Sequence, residues 1–370
     1  MRVLINAGPW LPVPPRGYGG IENVVATLVP ELRRLGVEVV LATVGDSEAE
    51  VDERLAVFPH GQFELLQRPY NRVCGLVPAH QHAVVRRLAE GDIDLVHDHV
   101  EAAGLMTLAA LGRDAPPGLH TLHWDLAKHP ELYGTFDGGG RVWVNGVSAD
   151  QLLRAPAALR AHAIGHVHLA TPLACGAADR RPRDKHPYAV VLGRITPGKG
   201  QDLAARLAQE AGFELILAGP VGPCHDPAEI KTADPQNPDV TFWRERVAPY
   251  VDGVRVRWVG TLAGRARDDL VASARVALFP LRWDEPGGTA VVEALALGTP
   301  VVGIARGCLP ELVQHGRTGL LTADEDALAD LVAAAGTIDE AECRAEAGRR
   351  FTPAVMAEAY LGLYEKATVG

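Results

Sequence analysis

Two textures alternate along the chain. Short runs in which nearly every residue is apolar are VLINA (3–7), VEVVLAT (37–43), DLVHDH (94–99), LHTLHW (119–124), VWVNG (142–146) and HVHL (166–169). Between them lie longer stretches whose apolar residues recur every three to four positions. A near-continuous apolar run suits a strand buried on both faces, and the 3.6-residue period suits a helix with one covered side. The pattern predicts a parallel sheet with helices on both faces. The first helix is expected over residues 20–35, stopped by Gly36, with Pro30 inside it as a kink.

The texture breaks at residues 172–187, PLACGAADRRPRDKHP, which are polar and Pro-containing and read as a linker. The alternation then restarts with YAVVLG (188–193), a helix from about residue 199, FELILAG (213–219), VRWVG (256–260), a helix over 268–274, VALFPL (276–281), a helix after 289 and VVGIA (301–305). Three helices are expected at the end, over 324–335, 338–349 and 353–367. Two α/β domains of similar size follow, 1–171 and 172–352. A ligand cleft is expected where strand carboxyl ends and helix N-termini meet. Residues 220–250 read as an exposed excursion and a candidate ligand-covering loop.

Charge and cysteine usage narrow the picture. A net charge of −10 argues against a broad basic surface for nucleic acid. The five cysteines are odd in number and form no CxxC pair. A disulfide framework or a cysteine zinc site is therefore not expected, and a reducing compartment fits. The first apolar run is too short for a signal peptide, and no stretch approaches the roughly 20 apolar residues of a membrane span. The expectation is a cytoplasmic protein without an integral membrane segment.

Candidate chemistry starts at EPGGTAVVEALALGTPV (285–301). From residue 290 to 297 the only non-apolar residue is Glu293. A carboxylate in so apolar a helix needs hydrogen-bond donors, because burying it unpaired costs several kcal/mol. Sugar or ribose hydroxyls are candidates; an arginine partner is the plainer alternative. Gly287 and Gly288 would open backbone N–H groups to an anion at the helix start, with Thr289 as N-cap. Glu285, before Pro286, is expected in an extended loop facing the same place.

LGRITPGKGQ (192–201) has the Gly-x4-Gly-Lys spacing of a P-loop. Gly200 stands where a P-loop needs the Ser or Thr that holds magnesium, so metal-bound nucleotide triphosphate is set aside. Arg194 and Lys199 remain as two cations at a helix start, suited to a diphosphate without a metal. PRGYGGIENVV (15–25) is not a dinucleotide fingerprint, yet Gly19 and Gly20 would offer backbone N–H groups to the same diphosphate. His123 ends one apolar run, and His97 and His99 end another. All three are candidates to face the cleft, and His97 and His99 are candidate acceptor contacts. Consecutive His97, Asp98 and His99 lack the one-face spacing of a metal site, so no metal is expected.

EPGGTAVVEALALGTPVVG, with Glu-x7-Glu followed by GTPV, resembles the retaining glycosyltransferases of family 4. GRITPGKG resembles their G-R-x4-K-G segment, and YGGIENVVATLVPELRRLGVEV their glycine loop and first helix. DLVHDH, RVRWVGTL and GCLPELVQHGRTGLL fall in the family's order, so the resemblance spans nearly the whole chain. It implies a GT-B fold, two Rossmann-like domains facing each other across a cleft. The N-terminal domain would bind the acceptor and the C-terminal one the nucleotide sugar. The final helix, residues 353–370, would cross back to the first domain.

By the same resemblance Glu285 would contact the donor sugar and Glu293 the ribose. Arg194 and Lys199 would bind the diphosphate with help from Gly19 and Gly20. Gly287, Gly288 and Thr289 would line the pocket, and His123 would sit near the transferred sugar. No cofactor or metal is implied. The partners would be a nucleotide-diphosphate sugar and a hydroxyl-bearing acceptor. Pro286-Gly287 departs from the family's Phe-Gly and leaves the donor sugar open. An epimerase, a phosphorylase or a non-catalytic nucleotide-sugar sensor would share the architecture.

Overall fold

The computed structural model describes all residues except Tyr18, Arg113, Pro182 and Gly370, and the side chain of Gln67. Tyr18 of the glycine-rich stretch therefore lies outside the described residues. The chain divides into two compact units, Met1–Ala170 with Pro353–Gly370, and Thr171–Thr352.

The first unit is built on seven strands: β1 (Arg2–Asn6), β2 (Glu38–Thr43), β3 (Glu53–Ala56), β4 (Leu95–Asp98), β5 (Gly118–Leu122), β6 (Val142–Gly146) and β7 (Ala163–His166). All are parallel, in the order β3-β2-β1-β4-β5-β6-β7. The apolar runs are continuous because both faces are covered. Val3 and Ile5 enter one core cluster with Val25, Leu28 and Leu32 of the Gly20–Arg34 helix, while Leu4 enters the other with Leu105. That helix runs through Pro30, which is exposed. The final helix, Pro353–Val369, packs on it and buries Tyr360 and Tyr364.

The second unit repeats the scheme with β8 (His186–Leu192), β9 (Glu214–Ala218), β10 (Val256–Trp258), β11 (Ala274–Phe279), β12 (Val301–Ile304) and β13 (Gly319–Thr322). These are parallel in the order β10-β9-β8-β11-β12-β13. Strand alternation again sends neighbours to opposite cores: Ala189 and Val191 to one, Tyr188 and Val190 to the other. In both sheets the winding direction reverses beside the first strand, between β1 and β4 and between β8 and β11. Those are the points where α/β sheets open a crevice at the strand carboxyl ends.

Several expectations need correction. β3 and β13 are four-residue strands of mixed polarity that the apolar pattern does not mark. The strand expected at 166–169 ends at His166, three residues after it begins. Residues 172–187 are not a free linker: Ala174 and Ala177 are fully buried, in short 3₁₀ turns packed on the Glu340–Arg350 helix. Nor is 220–250 wholly an excursion. A helix at Pro238–Phe242 continues through a π turn at Trp243–Val247 and buries Val240, Trp243 and Val247 in the core. All five cysteines are free thiols, and among the described residues no helix is long and apolar enough to cross a membrane.

Candidate active site

In the second unit the loops after β8 and β11, the two strands flanking the reversal point, carry most of the candidate residues. Arg194, Lys199 and Gly200 follow β8; Glu285, Gly287 and Gly288 follow β11. The loops are stitched together, since Arg282 N–H donates to the Gly198 carbonyl at 2.9 Å. Glu285 is anchored from a third loop, its carbonyl accepting from Cys308 N–H at 2.8 Å.

Lys199 and Glu285 are ion-paired. The ammonium also lies 5.1 Å from the centroid of the Trp283 ring. An ammonium has three donors, so the pair leaves Lys199 two for an anion. Arg194 is exposed, and its guanidinium has no hydrogen-bond or ion-pair partner among the described residues. Its backbone is fixed instead: Gln201 Nε2 donates to the Arg194 carbonyl at 2.8 Å.

Gly200 shows why the P-loop resemblance stops where it does. Its φ is +71°, and a Cβ there would lie 1.9 Å from the Pro280 carbonyl oxygen. Neither Ser nor Thr fits, so the magnesium-holding hydroxyl has no place in this loop.

The helix expected to begin with Thr289 as N-cap instead has Gly288 as its cap, with φ +61° and no side-chain capping bond. Thr289 is the first helical residue and is exposed. Gly288 is required because a Cβ would meet Leu312 Cδ1 at 2.7 Å and Cys308 Sγ at 2.8 Å. The consequence is a helix start whose first N–H groups no side chain claims, a setting favourable to an anion.

One turn on, Glu293 is half-buried and paired with Arg267, whose Nη1 lies 3.2 and 3.3 Å from its two carboxylate oxygens. The plainer alternative from the sequence therefore holds: an arginine partners this carboxylate. Burial pushes the Glu293 carboxyl above its ordinary range, and Arg267 opposes that shift. Arg267 also grips Asp268 at 2.9 Å. Arg267 and Trp283 were not marked by sequence reasoning. Trp283, an aromatic two residues before Glu285 in a strand-end loop, carried a usable signal; Arg267, within RARDD, carried none. A cavity of about 580 Å³ elsewhere in this unit is lined by none of Arg194, Lys199, Glu285 or Glu293.

In the first unit Gly19 precedes and Gly20 begins the Gly20–Arg34 helix, and no side chain caps that end. Glu22 in its first turn is buried, and desolvation lifts its carboxyl to about 7.

His97 must be withdrawn as an acceptor contact. It is fully buried, with Nδ1 2.8 Å from the Tyr364 hydroxyl and Nε2 2.8 Å from Thr121 Oγ1. Thr121 donates to Asn145 Oδ1 at 2.9 Å, so it accepts from His97 Nε2, leaving Nδ1 to accept from Tyr364. Both ring nitrogens are spent, Nδ1 on fastening the final helix to the sheet and Nε2 on the neighbouring strand β5. His99 is 1% exposed, and its Nε2 is buried with no hydrogen-bond partner among the described residues. Its Nδ1 lies 2.8 Å from His123 Nε2, and the rings stack at 5.1 Å. His123 itself is only half-buried. Burial holds the rings of His97 and His99 well below the ordinary imidazole value and His123 at about 3, so all are neutral near pH 7.

Residues 177–349 match the family model described as glycosyl transferases group 1, and residues 18–149 match glycosyltransferase family 4. The D-inositol 3-phosphate glycosyltransferase of Mycolicibacterium smegmatis is 30% identical, over 83% of this chain and 76% of that one. The phosphatidyl-myo-inositol mannosyltransferase of Mycobacterium leprae is 25% identical, over 94% and 93%. Among solved structures, AviGT4, a glycosyltransferase involved in avilamycin A biosynthesis, aligns over 100% of this chain and 98% of its own at 26% identity and a TM-score of 0.65. Anabaena HepE, solved with UDP and glucose, shares the fold at 18% identity, covering 99% of this chain and all of its own, with a TM-score of 0.67. Two winding-reversed parallel sheets, the paired glutamates and the cations on the β8 loop thus have a common source: the chain belongs to the family 4 glycosyltransferases, enzymes of the GT-B fold.

Proposed function

We propose that this glycosyltransferase takes its sugar from a nucleoside diphosphate donor, without a metal, and transfers it to an acceptor hydroxyl with retention. One observation carries the reading. Two cations, Arg194 and Lys199, stand on the loop at the reversal point of the second sheet, in a chain segment that sterically refuses a magnesium-holding hydroxyl at Gly200. A diphosphate leaving group would then be stabilised by the guanidinium, the ammonium and the uncapped N–H groups after Gly288. Glu285, beside Lys199, would orient the sugar hydroxyls. Glu293 would accept from the ribose, its carboxylate charge maintained by Arg267.

In the chemical step the bond from the sugar's anomeric carbon to the phosphate oxygen breaks. The acceptor oxygen bonds to that carbon on the same face, and its proton passes to the departing phosphate. His123, held by His99, would contact the sugar from the first unit, with Gly19 and Gly20 offering amides to the diphosphate. The first unit, with the final helix, would take the acceptor and the second the nucleotide sugar. Relatives named for D-inositol 3-phosphate and for avilamycin A biosynthesis supply two acceptor classes to assay.

The test is a thermal-shift screen in EDTA against UDP-, GDP-, ADP- and dTDP-sugars. Stabilisation by one base class without magnesium is expected. Stabilisation that appears only when magnesium is added would overturn the metal-free reading.

A further inference from the structure

Away from the β8–β11 crevice, the second unit holds a cavity of about 580 Å³ whose charge is out of keeping with the chain. Leu173, Ala272 and Leu297 contribute apolar surface. Arg180, Arg181, Arg183, Arg265 and Arg344 line it against Asp268 and Asp269, five positive charges to two negative. A net +3 concavity in a chain of net −10 draws anions into it.

The arginines are not used up by the acids. Asp269 is shared between Arg183 at 2.5 Å and Arg265 at 3.3 Å, while Asp268 is taken by Arg267, which does not line the cavity. Arg180 and Arg181 are exposed and have no partner among the described residues. Arg344 is 4% exposed and held by Glu340 at 2.9 Å, yet its Nε is buried with no acceptor. Buried N–H groups almost always find one, so this orphan points to a ligand oxygen. The Gly264–Ser273 helix begins at the cavity wall, with no side-chain cap on its first turn.

We propose that this cavity is a second anion site, binding a small organic phosphate. Planar guanidinium groups would grip its oxygens and the apolar residues would receive its carbon skeleton. The site is separate from the donor diphosphate site proposed above and goes beyond that reading. Pyrophosphate is the probe, in calorimetry on the full chain with EDTA present. Saturable binding is expected to survive in Arg194→Ala/Lys199→Ala. In that background it is expected to weaken at least tenfold when Arg180→Ala/Arg181→Ala is added, with no further change in Tm because both side chains are exposed. Arg344→Lys keeps the charge but removes the orphan N–H, and should weaken binding severalfold. The proposal is overturned if pyrophosphate binding disappears in Arg194→Ala/Lys199→Ala, if the binding left in that variant is unaffected by adding Arg180→Ala/Arg181→Ala, or if wild type shows no saturable binding.

Discussion

Lys199 answers to two partners, the Glu285 carboxylate and, in the proposed reaction, a diphosphate. Lys199→Ala removes a charge-assisted hydrogen bond to the ligand, worth about 2 kcal/mol, so nucleoside diphosphate affinity should fall roughly thirtyfold. Calorimetry reads this directly, and an unchanged Kd takes Lys199 out of the site. Glu22 gives a prediction that needs no ligand. Its folded carboxyl titrates at about 7 against an ordinary 4.5. A raised carboxyl pKa contributes stability in full below pH 4.5 and loses it as pH rises through 7. Glu22→Gln should therefore be neutral near pH 4.5 and more stable than wild type by about 2–3 kcal/mol at pH 8, from the size of the shift. A variant no more stable than wild type at pH 8 would remove the strained carboxyl. At this scale the sequence was legible only in part. Residue types and spacing marked Arg194, Lys199, Glu285 and Glu293, but pairing is a three-dimensional fact. That Arg267 meets Glu293, or that His97 spends both nitrogens on Tyr364 and Thr121, depends on residues 24 to 267 positions apart.

The β8 loop shows how an element's path selects its chemistry. The left-handed turn at Gly200 lies against the Pro280 carbonyl, so the segment can copy a P-loop's spacing but not its magnesium ligand. Gly200→Ser should therefore create no magnesium-dependent nucleotide binding. It should destabilise the chain by roughly 2 kcal/mol or more, through positive φ and the backbone clash. Thermal unfolding checks this, and a Tm equal to wild type would contradict it. Strands buried on both faces were readable because burial forces continuous apolar runs, as in VLINA and VWVNG. The edge strand at Glu53–Ala56, exposed at alternate positions, carries charge and gives no such signal. The segment 172–187 misleads for a related reason. Its two buried alanines, Ala174 and Ala177, stand among exposed or half-buried neighbours, too sparsely to form a period.

Each sheet carries a different electrostatic burden. The first unit encloses neutral histidines: His80 at about 4, His123 at about 3, and His97 and His99 lower than ordinary through burial. An unfolded histidine takes up its proton near pH 6.5 and these do not, so falling pH favours unfolding from about 6.5 downward. Hydrogen exchange at pH 5 against pH 7, corrected for intrinsic rates, should show protection lost in β4 and β5 before β8 and β11. Equal loss in the two sheets would contradict this. The fold class was the most legible feature of all, because alternating strand and helix textures, repeated twice, permit few architectures. The claim on which the functional account rests is metal-free grip of a diphosphate by the second unit. The most direct test is calorimetric titration of wild type and Arg194→Ala with UDP, GDP, ADP and dTDP in EDTA. The account predicts saturable binding of one of them by wild type and a loss of at least tenfold in Arg194→Ala. Binding that needs added magnesium, or that is the same in both proteins, would contradict it.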